Sequence, residues 1–186
     1  GRLLEIGSTE YPTNTQAFNI VTQSWTLVDT QVLDGGSSAM YLPGRIMKSG
    51  SASQDGQTPN AASAATTYVL NMNTASPTWR QTASMAFPRT FHNLTSLADG
   101  TVLVTSGSQV KSETNFTPGV LPAELWSPDT EIWTTMAPMV TPRIYHSTAV
   151  LLPDGRVAVA GSGNIGGATD RTTVEVFSPP YLFKGN

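Results

Sequence analysis

Three of the four tryptophans, Trp25, Trp79 and Trp133, stand 54 residues apart. An interval of that size marks a repeated unit that must stack on copies of itself to bury its faces. A short block recurs around them: GRLLEIGS (1–8), GRIMKSGS (44–51), GTVLVTSGS (100–108) and GRVAVAGSG (155–163). Each reads as a strand between glycines. Ahead of the last two lie PRTFHNLTSLADG (88–100) and PRIYHSTAVLLPDG (142–155), in which an apolar strand runs into an Asp-Gly turn, so each pair reads as a β-hairpin. A variable loop follows, then a third strand at QAFNIV (16–21), TTYVLNM (66–72), AELWSP (123–128) and TVEVFSP (173–179). A short turn then leads into the tryptophan strand. Four antiparallel strands in about 50 residues are the signature of a kelch-like β-propeller blade.

This periodicity predicts an all-β fold in which Trp25, Trp79 and Trp133 fill one layer of the core, since aromatic side chains dominate buried area. It also predicts about three and a half four-stranded blades, beginning at a second strand and ending after a third. Propellers close with four to eight blades, and an open arc leaves unpaired strand edges. The expectation is therefore a partial propeller, residues 1–178, taken from a larger parent.

Composition narrows the function. Only 12% of residues are charged, about half the usual share of roughly 25%, and Ser, Thr, Gly, Asn and Pro take their place, which favours strands and turns. A net charge of −3 without a basic cluster gives counterion release nothing to act on, which argues against nucleic acid as a partner. With no cysteine, the chain builds neither a disulfide nor a thiolate site. The longest aliphatic run is about that of AVLL (149–152), far below the roughly 20 residues of a membrane span. GRLLEIGS lacks the apolar core of a signal peptide, so if the protein is secreted its signal is expected upstream of this chain.

The candidate chemistry lies at Tyr145 and His146. The chain has two histidines, His92 and His146, each three residues after an arginine in successive repeats, which favours a structural role in the blade. What differs is the residue before: Phe91 ligates no metal, whereas Tyr145 does so as a phenolate. Neighbours in a regular strand point to opposite faces, so this pair reaches one ion only where the strand starts or bends. Pro142 marks such a start. Two donors fall short of the three or four that metal sites use, and on residue chemistry alone both readings stand.

The stretch RIYHSTAVLLPDGRV, with FPRTFHNLTSLADGTV and the closing EVFSPPYLFKGN, resembles the copper-radical oxidase family that includes galactose oxidase and glyoxal oxidase. The resemblance runs along most of the chain. It implies a seven-bladed parent propeller holding one copper ion, bound by two Tyr and two His, with one Tyr cross-linked to a Cys and carrying a radical. It implies that Tyr145 is the axial tyrosine and catalytic base, that His146 is an equatorial copper ligand, and that His92 is no ligand. The reaction implied is oxidation of a primary alcohol or aldehyde, with O2 reduced to H2O2, in a secreted protein. Residues 179–186 would begin the linker to a C-terminal immunoglobulin-like domain. The cysteine and the second histidine are then expected from the missing N-terminal blades and C-terminal domain. The cysteine-free loop GNIGGATD (163–170) leans toward the glyoxal oxidase-like branch.

The rival reading is a kelch-type propeller without catalysis, whose loops 52–64 and 109–122 grip a carbohydrate or protein. Two Asn-X-Thr triplets also occur. Asn93 falls in an inner strand, where a glycan clashes, and Asn115 in a loop that has room for one.

Overall fold

The structure, a computed structural model, describes residues 1–7, 12–33, 36–51, 58, 60–163 and 169–184. Its strands form four antiparallel sheets in chain order. The first holds β1 (Arg2–Glu5), β2 (Thr15–Asn19) and β3 (Ser24–Asp29), and the second β4 (Ser37–Leu42), β5 (Arg45–Ser51), β6 (Ala64–Asn71) and β7 (Arg80–Gln81). The third holds β8 (Thr90–Ser96), β9 (Val102–Ser108), β10 (Pro122–Trp126) and β11 (Trp133–Pro138). The fourth holds β12 (Ser147–Leu151), β13 (Val157–Gly161) and β14 (Glu175–Phe177), followed by a 3₁₀ turn at Pro180–Phe183. Every sheet is a meander in which consecutive strands pair. The all-β expectation and its strand order hold.

Sheets stack face to face, with the first strands of neighbouring sheets side by side, β4 against β8 and β8 against β12. Each stacked pair has its own core. Ile46, Leu70 and Trp79 pack with Leu4 between the first two sheets; Met47, Val69, Val102, Val104, Trp126 and Trp133 fill the next space; Leu103, Ala123, Val157 and Val159 fill the third. A sheet covered on both faces needs apolar or satisfied residues at every strand position. Accordingly β9 is buried along its whole length, whereas β13, covered on one face, alternates.

The tryptophans are the clips between sheets. Trp79 donates its indole N–H to Thr15 Oγ1 in the first sheet at 2.7 Å, and Trp133 donates to Thr67 Oγ1 in the second at 3.0 Å. Trp25 departs from the expected core layer: it is 53% exposed, against 6% for Trp79 and 9% for Trp133. The physical reason is the direction of the clip. Each buried tryptophan reaches into the sheet before its own, and no described sheet precedes the first. Trp25 instead leans on Phe18 in its own sheet, with ring centroids 5.1 Å apart.

Buried arginines close the other side of the third and fourth sheets. Arg89 donates to the Ser106 and Pro122 carbonyls, each at 3.0 Å, and pairs with Glu124 at 2.6 Å, both side chains fully buried. Arg143 repeats the pattern one sheet later, donating to the Gly161 carbonyl at 2.9 Å and the Thr173 carbonyl at 2.8 Å, with Glu175 at 3.5 Å. His92, inside β8, points toward the second sheet, where its Nε2 lies 3.2 Å from Ser49 Oγ. Only glycine fits opposite it, because a Cβ on Gly50 would stand 2.4 Å from His92 Cε1. Burial, reinforced by the nearby Arg89 charge, pulls the His92 pKa down to about 3.

Two outcomes follow from these contacts. Trp133→Phe strands Thr67 without its donor and is expected to cost about 1–3 kcal/mol in urea unfolding, whereas Trp25→Phe stays within about 0.5 kcal/mol; equal losses would contradict the clip. His92 is held neutral, so the unfolded chain takes up its proton first, and stability is lost as the pH falls from the ordinary histidine value of about 6.5 toward 3. In an acid titration of folding stability, His92→Asn should have a flatter slope than the native protein across that window; parallel curves would refute the assignment.

Candidate functional site

The last two hairpins can be superposed from two directions. From the arginine side, Arg89 and Arg143 are equivalent, since they bond the carbonyls of Ser106 and Gly161 and pair with Glu124 and Glu175. From the turn side, Ser96 pairs with Val102 and Leu151 with Val157. Counting back along the registers sets Phe91 opposite Gly107 and His146 opposite Ser162. The backbone agrees: Phe91 and His146 are both left-handed, with φ of 56° and 60°, as are Gly107 and Ser162 at 93° and 92°. His146 therefore stands where Phe91 stands, and Ser147 where His92 stands. This corrects the expectation that the two histidines share one position. The cause is one extra residue between the arginine and the strand, Ile144-Tyr145 in place of Thr90 alone.

That extra residue has no room in the ladder and bulges into a turn. Ile144 anchors it: its N–H donates to Ser162 Oγ at 2.8 Å, its carbonyl accepts the Ser147 N–H at 3.2 Å, and its side chain is fully buried. β12 then starts at Ser147, which places Tyr145 and His146 ahead of the strand, as Pro142 suggested. The left-handed His146 brings the two rings to one side, with centroids 3.9 Å apart and planes 32° from parallel. Phe91 meets the Tyr145 ring edge-on at 5.0 Å. Three aromatic rings thus gather where the first strands of the third and fourth sheets begin.

His146 is exposed, and its Nδ1 lies 3.2 Å from the Gly163 carbonyl. A carbonyl only accepts, so Nδ1 carries a proton, and in the neutral ring Nε2 then keeps its lone pair. An imidazole oriented through one nitrogen by a backbone carbonyl is the usual arrangement of a metal-ligating histidine. Imidazole nitrogen beside phenol oxygen is a donor pair that suits Cu(II), and in this respect the residues fit the metal. Among the described residues no group of three or more His, Cys, Asp or Glu gathers to form a site. His92 is buried behind the cluster and bonded to Ser49.

Of the glycosylation triplets, Asn93 donates its side-chain N–H to Ser147 Oγ at 2.9 Å and so links the third and fourth sheets through the nitrogen a glycan would need. Asn115 is exposed, and its Oδ1 accepts the Thr117 N–H at 3.0 Å. Of the loops singled out in the sequence, residues 52–57, 59 and 164–168 lie outside the described residues. Sequence reasoning passed over three site features. Phe91 read as filler and Gly163 contributes only backbone. Arg143 had a signal, the recurring Pro-Arg followed by a Glu on the third strand.

The Glyoxal oxidase N-terminus family model matches residues 22–181. Galactose oxidase of Gibberella zeae is 32% identical over 155 residues, covering 81% of this chain and 23% of that protein. Aldehyde oxidase GLOX1 of Arabidopsis thaliana is 33% identical over 129 residues, covering 61% of this chain and 20% of that protein. The chain thus spans under a quarter of the length of these relatives. A fungal alcohol oxidase of the AA5 family, solved in complex with copper, superposes with a TM-score of 0.84 at 27% identity, over 98% of this chain and 39% of that one. By sequence over most of its length and by fold over nearly all of it, the chain belongs to the glyoxal oxidase N-terminus family.

Proposed function

We propose that this chain supplies two of the protein donors of a copper site, Tyr145 and His146, in a secreted oxidase that converts a primary alcohol or aldehyde with O2 to the oxidised product and H2O2. The observation that carries the reading is the left-handed turn at His146, which lays both rings on one side and, through the Gly163 carbonyl, leaves Nε2 available. Family membership and the likeness to a copper-bound alcohol oxidase support it. The second histidine and the tyrosine cross-linked to cysteine belong, in this reading, to other blades and to a domain reached through residues 179–186 of a seven-bladed parent.

Copper, with the tyrosyl radical, would supply the capacity to take two electrons from the substrate and pass them to O2. The chain's own residues do the rest. His146 would hold the metal, its ring fixed by the bond from Nδ1–H to the Gly163 carbonyl. Tyr145 receives the proton of the substrate hydroxyl at its Oη, so the hydroxyl oxygen is deprotonated as the adjacent carbon gives up hydrogen. Phe91, edge-on to Tyr145, limits the directions that ring can take. Over a full turnover an alcohol, or an aldehyde that has first added water to become its gem-diol, loses two electrons and two protons, and O2 gains both to become H2O2.

In the whole protein, His146→Ala is expected to lower copper content sharply, as one of few donors is lost. Tyr145→Phe is expected to keep copper while turnover falls by about 10² to 10⁴-fold, the usual range for a general base. His92→Ala should leave copper content unchanged. Elemental analysis with steady-state rates checks all three. Near-native turnover in Tyr145→Phe, or equal copper loss in His92→Ala and His146→Ala, would overturn the assignment.

A further inference from the structure

The loops on either side of the Tyr145–His146 turn place a cation beside it. Arg171 lies in the segment after Gly163, with its guanidinium 4.1 Å from the centroid of the Phe116 ring. Its backbone is tied to the site by two rungs: the Arg171 N–H donates to the Ser162 carbonyl at 2.9 Å, and the Ser162 N–H donates to the His146 carbonyl at 3.1 Å. At a ladder spacing of about 4.8 Å per rung, the backbones of Arg171 and His146 stand roughly 10 Å apart. Phe116 is fixed from the other side. Its carbonyl accepts the Gly119 N–H at 3.0 Å, and Gly119 is pressed so closely on Pro142, at the entry to the Tyr145 turn, that a Cβ there would stand 2.8 Å from Pro142 Cβ. The aromatic seat and the metal-binding turn are thus parts of one packed unit.

The buried arginines, Arg89 and Arg143, are committed to carbonyls and carboxylates. Arg171 is not. Among the described residues it enters none of the ion pairs, and its Nε is buried without a hydrogen-bond partner. Its own loop and the one that carries Phe116 also hold Asp170, which has partners of its own, Glu113, and the buried Lys111. A guanidinium held flat on an aromatic face loses little freedom on binding, and its fork matches a carboxylate.

We propose that Arg171, seated on Phe116, recognises a carboxylate on the substrate, remote from the carbon that reacts at Tyr145. Arg171 stands two ladder rungs from His146, so the substrate class is a small acid with an aldehyde or alcohol at one end and the carboxylate at the other, for which a six-carbon oxo acid serves as the probe. This rests on the oxidase reading above, whose substrate class it narrows.

The test uses the whole copper-loaded protein and compares 6-oxohexanoate with hexanal, which lacks the charge. Arg171→Gln is expected to raise KM for 6-oxohexanoate by about tenfold or more, the scale of one charge-assisted pair, with kcat little changed. Hexanal kinetics should stay within about twofold, and Arg171→Lys should recover part of the loss. A change that is equal for both aldehydes, or absent for both, overturns the proposal. Calorimetry of adipate with metal-free protein separates this inference from the oxidase reading. Adipate binding that is lost in Arg171→Gln, in a protein that oxidises neither aldehyde, sustains Arg171 and sinks the oxidase. Turnover of both aldehydes without adipate binding sustains the oxidase and sinks Arg171.

Discussion

A guanidinium with no solvent exposure must satisfy its charge inside the protein, and at Arg89 and Arg143 it does so by gripping the second and third strands of its sheet. These grips are fixed points. The hairpin turn at the far end of the first strand is another, set by register. Whatever chain lies between the two must either lie in the ladder or leave it. Between Arg89 and the turn every residue fits, and His92 is carried into the interior beneath Gly50. Between Arg143 and its turn one residue is surplus, and the ladder rejects it. The Tyr145–His146 turn is what that rejection looks like, and the geometry of the candidate site depends on it.

The repeat was legible because periodicity is written in residue types: glycine at strand ends, Asp-Gly at turns, tryptophan at one interval. Burial was less so. Trp25 belongs to the same series as Trp79 and Trp133 but lies in the open, since what covers a tryptophan is the neighbouring sheet and not the tryptophan itself. The histidines were misaligned for a specific reason. Measured from the arginine, His92 and His146 stand at equal distance, which hid the insertion. Measured from the Asp-Gly turn they differ by one, and the longer segment from Pro142 to Gly155 held that signal. Gly163 had no signature to read, because its part is played by a backbone carbonyl.

Adjacent donors on one short turn give a rigid pair. Tyr145 is confined by Phe91 on one side and His146 on the other, and His146 is aimed by Gly163, whose neighbour Ser162 also holds Ile144. Orientation of the imidazole thus rests with the segment that follows β13, the same segment that carries Arg171. Substitutions in that segment therefore reach the orientation of the imidazole without touching Tyr145 or His146.

The shift between Phe91 and His146 has a bearing on how repeats are compared. Repeats aligned from one end disagree when aligned from the other, because a strand start pinned by a buried arginine and a turn pinned by register leave any difference in length to be absorbed between them. Here one residue more sets His146 at an outward, left-handed position with Tyr145 beside it, where the preceding repeat keeps its histidine inside the strand. In a repeated β-meander, length next to a pinned strand end thus decides which side chains face outward as much as residue type does.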